Sequence, residues 1–344
     1  MKALITIVLT LVAAAEAGVP KTAIELNNEG VRLFAQGHYP EAQRMFTEAL
    51  QGMEADSATA LDLGRTLDNL AAVYRVQGNA AQAEVHALRA DELFASSPDI
   101  PVPERTAQRM ILAAIYIDQR RFADADAVLR SAAATAQGSL AALALANMAA
   151  LAIPLGDFDQ AEGLALQAVE RAKAATPRDH AATAVAYNNL AQACRFQKKY
   201  LEAERYYRLA IEEWETAKGP NHPDVAKGLM NLAAFFHERE REAGAEDLYR
   251  RAIGLLEKAF GTDGTPVLVA RNELAEVLRA ERRFSESDRV GGASLAALEQ
   301  IFPSTDPRIE RALTNRARLL TEMRRDGEAA AIKSRLTQMQ RTFR

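Results

Sequence analysis

The chain is poor in the groups that cross-linking and catalysis depend on. Its single cysteine, Cys194, excludes an intramolecular disulfide, so the fold must stand on packing alone. Cys194 falls at an expected core position, where a thiol behaves as a small hydrophobe. The five histidines are scattered, and His38, His86 and His180 have no partner at ligand spacing. "FFHERERE" (Phe235 to Glu242) opens like a zinc-protease helix, but Arg241 stands where the second histidine is required. His222 and Asp224 in "GPNHPDVA" read more simply as a linker and a helix start than as a metal pair. A glycine-rich phosphate loop, a GxSxG elbow and a calcium loop are all missing. This pattern points away from an enzyme and implies no metal and no cofactor. An excess of one charge is lacking too. With 46 acids and 42 bases, the net charge of −4 gives no whole-molecule attraction to nucleic acid or membrane.

The N-terminus opens on an apolar run. In "MKALITIVLTLVAAAEAGVP", Lys2 precedes an apolar stretch of about 13 residues, too short to span a bilayer. "AEA" (Ala15 to Ala17) then supplies small residues for cleavage. The expectation is a signal peptide over 1–17 and export to the periplasm or beyond, with no membrane span.

What the chain has is alanine, leucine, glutamate and arginine, with modest glycine and proline, a composition that favours an all-helical protein. It also repeats. Ala191, Ala203 and Ala210 are separated by 12 and 7 residues. The same triple recurs as Gly30/Ala42/Ala49, Ala71/Ala83/Ala90, Ala113/Ala125/Ala132, Ala149/Ala161/Ala168, Ala233/Ala245/Ala252, Ala275/Ser287/Ser294 and Ala317/Ala329/Leu336. Successive units are offset by 42 residues, except for 41 at the first step and 36 at the third. Small residues at this spacing place close helix–helix contacts on either side of a polar turn, such as "QGHY" or "QKKY". Large apolar residues at i, i+3 and i+4 supply the buried face. Such a helix–turn–helix buries its apolar face only by stacking on its neighbours. The expected units are anchored near 24–54, 62–95, 104–137, 140–174, 182–218, 224–260, 266–301 and 308–342, in one continuous stack over 18–344. Gly291-Gly292 predicts a weak or bent helix in the seventh.

Leu190-Ala191, Ala203, Tyr207 and Ala210 resemble the tetratricopeptide repeat, as do Leu232-Ala233, Phe236, Ala245, Tyr249 and Ala252. The 42-residue length, "NNLA" and "GPNHPDVA" are similar to the kinesin-light-chain type. The resemblance covers roughly residues 22 to 340. It implies a right-handed all-α solenoid of about eight helix–turn–helix units, with the first helices lining a concave face that relatives use for cargo peptides.

Two positions before the small residue of each first helix stand Asn28, Asn69, Ile111, Asn147, Asn189, Asn231, Glu273 and Asn315. Six asparagines of eight can mean a ladder that binds an extended peptide backbone, or amides that bond a neighbouring helix; the sequence allows both. Other positions expected to face the groove give basic flanks, Arg65, Arg75, Arg195, Lys227, His237, Arg279, Arg311 and Arg318, around an apolar middle of Met110, Ile117, Leu143 and Ile153. The functional expectation is a scaffold for an acidic-hydrophobic peptide of a protein partner. The alternatives are a self-associating component of the cell envelope, hence a homo-oligomer, and a regulatory subunit of a separate enzyme. Residues 308–344 carry ten bases and four acids, a local charge of +6.

Overall fold

A computed structural model describes residues 21–56 and 58–342; the expected signal peptide lies outside the described residues. The described residues form sixteen α-helices, and the chain divides into two compact units, residues 1–217 and 218–344. In the first unit the pairs are α1 (Lys21–Ala35) with α2 (Tyr39–Ala55), α3 (Ala60–Val76) with α4 (Ala80–Ser96), and α5 (Val102–Asp118) with α6 (Phe122–Thr135). Then come α7 (Gly138–Leu155) with α8 (Phe158–Ala174), and α9 (His180–Phe196) with α10 (Tyr200–Lys218), whose last residue opens the second unit. The second unit pairs α11 (Pro223–Glu238) with α12 (Glu242–Phe260), α13 (Thr265–Ala280) with α14 (Phe284–Ile301), and α15 (Pro307–Glu322) with α16 (Asp326–Thr342). In each unit the first helices of consecutive pairs touch side by side, and second helices pack against the first helix of the next pair. This is an all-α solenoid.

The small residues sit at the tightest points. Ala42, Ala49, Ala83, Ala90, Ala161, Ala168, Ala203 and Ala210 are fully buried, as are Ala245 and Ala252. At Gly30 even a methyl group is excluded, because a Cβ there would lie 2.6 Å from the Phe46 ring. Ser287 replaces alanine without leaving a bare hydroxyl, since its Oγ donates to the Ala275 carbonyl at 2.7 Å. The glycine pair does not break α14, which runs uninterrupted over 18 residues. Packing explains it: a Cβ on Gly292 would lie 2.3 Å from Nη1 of Arg316, and one on Gly291 would lie 3.1 Å from the Ala275 Cβ.

All eight turns inside the pairs close in one way. The amide of the residue after the turn donates back five residues, from His38 to Leu33, Asn79 to Tyr74, Arg121 to Tyr116, Asp157 to Ala152, Lys199 to Cys194, Arg241 to Phe236, Arg283 to Leu278 and Arg325 to Leu320, at 2.8–3.1 Å. This is a Schellman ending, and it needs one left-handed residue. Glycine supplies it at Gly37, Gly78 and Gly156, but Arg120, Lys198, Glu240, Arg282 and Arg324 adopt it with φ of 56–63°. Left-handed backbone costs an L-residue about 1–2 kcal/mol, offset in part by the larger chain entropy that glycine loses on folding. Lys198→Gly is therefore expected to raise stability by about 0.5–1 kcal/mol, and Gly156→Ala to lower it by about 1 kcal/mol. Urea unfolding followed by helical circular dichroism measures both.

Candidate functional site

The asparagine series is where the sequence left two readings open, and burial separates them. Asn69, Asn147 and Asn189 are buried, leaving no surface for a peptide to meet. Asn189 donates from Nδ2 to the Ala146 carbonyl of α7 at 2.7 Å. Asn69 donates from Nδ2 to Oδ1 of Asn27 on α1 at 3.1 Å, where Thr66 Oγ1 also donates at 3.2 Å. Both bonds run from one first helix to the first helix before it, and both reach the position three before its small residue. Asn28 obeys the same geometry: no helix pair precedes α1 among the described residues, and Asn28 is exposed. Asn27, which the sequence reading passed over, is the buried member of that pair. Asn231 and Asn315 are half-buried. Asn147 finds no partner for either amide atom, and its repeat is the one that starts 36 residues after its predecessor.

The expected apolar middle of the groove is core. Met110, Ile117, Leu143 and Ile153 are all buried, Ile153 packing with Phe158 of α8 and Phe196 of α9. The basic flanks are ties rather than an empty rim. Arg65 pairs with Glu104 at 2.6 Å and Arg75 with Asp118 at 2.6 Å, joining α3 to α5. Between α13 and α15, Arg279 pairs with Glu322 at 2.5 Å, Arg311 with Glu273 at 2.6 Å, and Arg318 with Glu276. Lys227 pairs within its helix with Asp224 at 2.7 Å, and His237 Nδ1 lies 2.6 Å from Glu242. Arg195 lies half-buried, 5.6 Å from the Phe196 ring.

A second charge ladder escaped the sequence reading. At four of the second helices, the base that opens the helix reaches an acid on the previous second helix: Arg121 to Glu84, Lys199 to Glu162, Arg283 to Glu246 and Arg325 to Asp288, at 2.5–2.7 Å. The separation is 37 residues every time. A base–acid search at the repeat period less five would have found it. Each exposed pair contributes only about 0.2–1 kcal/mol, but a series fixes register.

Electrostatics sharpen these assignments. Lys227 and Lys218 hold the Asp224 carboxyl well below the usual carboxylate range, against its burial. Burial keeps the neighbouring His222 below its ordinary value, so its Nδ1 is free to accept the Asp224 amide at 3.1 Å and cap α11. Burial pushes the Cys194 thiol up to about 11, which leaves it a core group and a poor nucleophile. No cluster of three metal-ligating side chains occurs among the described residues. α7 is long and apolar enough to cross a membrane, and 67% of it is buried as a core helix.

Asp68 is the misfit. By the rule that Asn69 and Asn189 obey, the residue opposite it is Ile111, which offers no donor, and its Oδ1 lacks a partner. Burial, then the nearby Glu104 and Asp91, raise its pKa well above the ordinary value. A carboxyl that binds its proton more tightly when folded favours folding at low pH, and that contribution fades as pH rises through the folded value. Asp68→Asn is expected to raise stability at neutral pH and to flatten its decline from mildly acidic to neutral solution. Unfolding titrations across that range decide it; an unchanged slope contradicts the assignment.

The sequence model of the tetratricopeptide-repeat family matches residues 139–212 and 183–258. None of the curated proteins matches the chain. Among solved structures, yeast Tom70 is similar with a TM-score of 0.63 and 17% identity, over 97% of this chain and 63% of that one. The nearly identical TPR-like repeats of a kinesin light chain from Podosopora anserina give a TM-score of 0.48 and 17% identity, over 58% of this chain and 95% of theirs. At such identities the likeness is one of fold. Within 139–258 the matched segments are the α7–α12 pairs, and the pairs on either side carry the same small-residue frame and the same turn. Residues 139–258 are tetratricopeptide repeats, and the described chain shares the solenoid fold of such proteins.

Proposed function

We propose that this chain is an exported, non-catalytic scaffold that holds a protein partner through an acidic segment laid along the first helices of its second unit. The fold is one that serves protein–protein interaction, and that coarse role is its function. The finer reading rests on one observation. Lys227 on α11 and Arg311 on α15 keep 57% and 47% of their side chains exposed while engaged in ion pairs. A guanidinium has five N–H donors, and Arg311 directs only one group of them at Glu273, leaving others for a partner carboxylate. The apolar anchor expected from the sequence drops out of the proposal, because its four residues are buried. Export is supported by the pattern of residues 1–17.

Capture from envelope extract with the wild-type protein and with Lys227→Glu/Arg311→Glu tests the reading. The variant is expected to keep its helical circular dichroism and to lose the partner; unchanged capture overturns the acidic-segment assignment. Mass spectrometry of the exported protein is expected to find Gly18 as the first residue, whereas a chain that retains Met1 contradicts processing.

A further inference from the structure

The C-terminal pair ends on an open groove of about 460 Å³ between α15 and α16, lined by Thr314, Ala317, Arg318, Thr321, Glu322, Lys333 and Leu336. The residues 42 positions earlier show what such a groove accepts. Between α13 and α14 the equivalent surface is Asn272, Ala275, Glu276 and Gly291, and α15 fills it with Ala312, Asn315, Arg316 and Leu319, leaving only about 10 Å³. The occupant is thus a helix presenting one i, i+3, i+4, i+7 face. Placed in the same register on the small residue, α1 presents Glu25, Asn28, Glu29 and Arg32. Glu25, Asn28 and Arg32 are exposed and Glu29 half-exposed, and Asn28 occupies the position from which Asn69 and Asn189 bond the helix before them.

The charges are matched as well. Arg316 passes over Gly292, next to Gly291, to reach Asp288 at 3.0 Å. At the open end the equivalents of those glycines are Lys333 and Ser334, and on α1 the equivalent of Arg316 is Glu29. Likewise Glu276 of the filled groove becomes Arg318 in the open one, and Ala312 of the seated helix becomes Glu25 on α1. On the helix, Glu25 and Glu29 add negative charge and Arg32, in place of Leu319, adds positive. At the groove, Arg318 and Lys333 add positive charge and Glu322, in place of Ala280, adds negative, so the net change is negative on the helix and positive at the groove.

We propose that copies of this chain associate head to tail, α1 of one copy seating in the α15–α16 groove of the next with Glu29 against Lys333. The contact is heterologous, so each added copy renews the same free ends. It uses neither Lys227 nor Arg311 and stands apart from the partner-binding proposal. Sedimentation velocity of the purified protein over a rising concentration series tests it. Wild-type protein is expected to form faster-sedimenting species as concentration rises, less so in high salt. Lys333→Glu and Glu29→Lys are each expected to weaken association at least about tenfold, since each brings like charges together. An equimolar mixture of the two variants is expected to regain it, because the reversed tail of one then meets the reversed head of the other. A wild-type protein that stays monomeric throughout overturns the proposal. Variants that associate like wild type, or a mixture as monomeric as its components, overturn it equally.

Discussion

Two helices approach only as closely as the side chains between them allow, and here alanine, glycine or serine stands at nearly every such point. That closeness sets the rest of the structure. It draws the first helices into a row so tight that polar side chains between them lose contact with water. A buried amide or hydroxyl then has to find a partner in the neighbouring backbone. Asn189 finds the Ala146 carbonyl and Ser287 finds that of Ala275. Where the neighbour offers nothing, as Ile111 does opposite Asp68, the mismatch appears as a carboxyl held toward its protonated form.

Charge follows the same logic at the surface. Acids and bases that look evenly mixed along the chain are sorted by the repeat into rungs: one set joins first helices, the other joins four of the turns to the previous second helix. Individually weak, they resist sliding of one pair against the next, because a shift would break all of them together.

The helix pairs were legible because the 12- and 7-residue spacings mark where helices touch, and nothing else in the chain competes with that signal. Tyr207 and Phe236 identified the repeat type for the same reason, each filling a fixed place around a small residue. The role of Asn189 was not legible. A helical position two before the contact residue points toward a flanking helix or an open face depending on how tightly the first helices pack, and the spacing alone leaves that tightness open. Arg65 and Arg279 were visible as bases, but their acids lie 39 and 43 residues away on the next first helix. The glycine pair of α14 was read from its propensity, whereas Arg316 crossing Gly292 determines it.

The claim on which this account turns is that the recurring asparagine, where buried as at Asn69 and Asn189, ties a first helix to the one before it. Equilibrium unfolding of Asn189→Ala beside Asn28→Ala tests it most directly. The two sit at the same repeat position, one buried against a neighbour and the other exposed. Asn189→Ala should lose about 1–3 kcal/mol, and Asn28→Ala should remain within about 0.5 kcal/mol of wild type. Equal stability of Asn189→Ala and wild type, or equal losses at both positions, would contradict it.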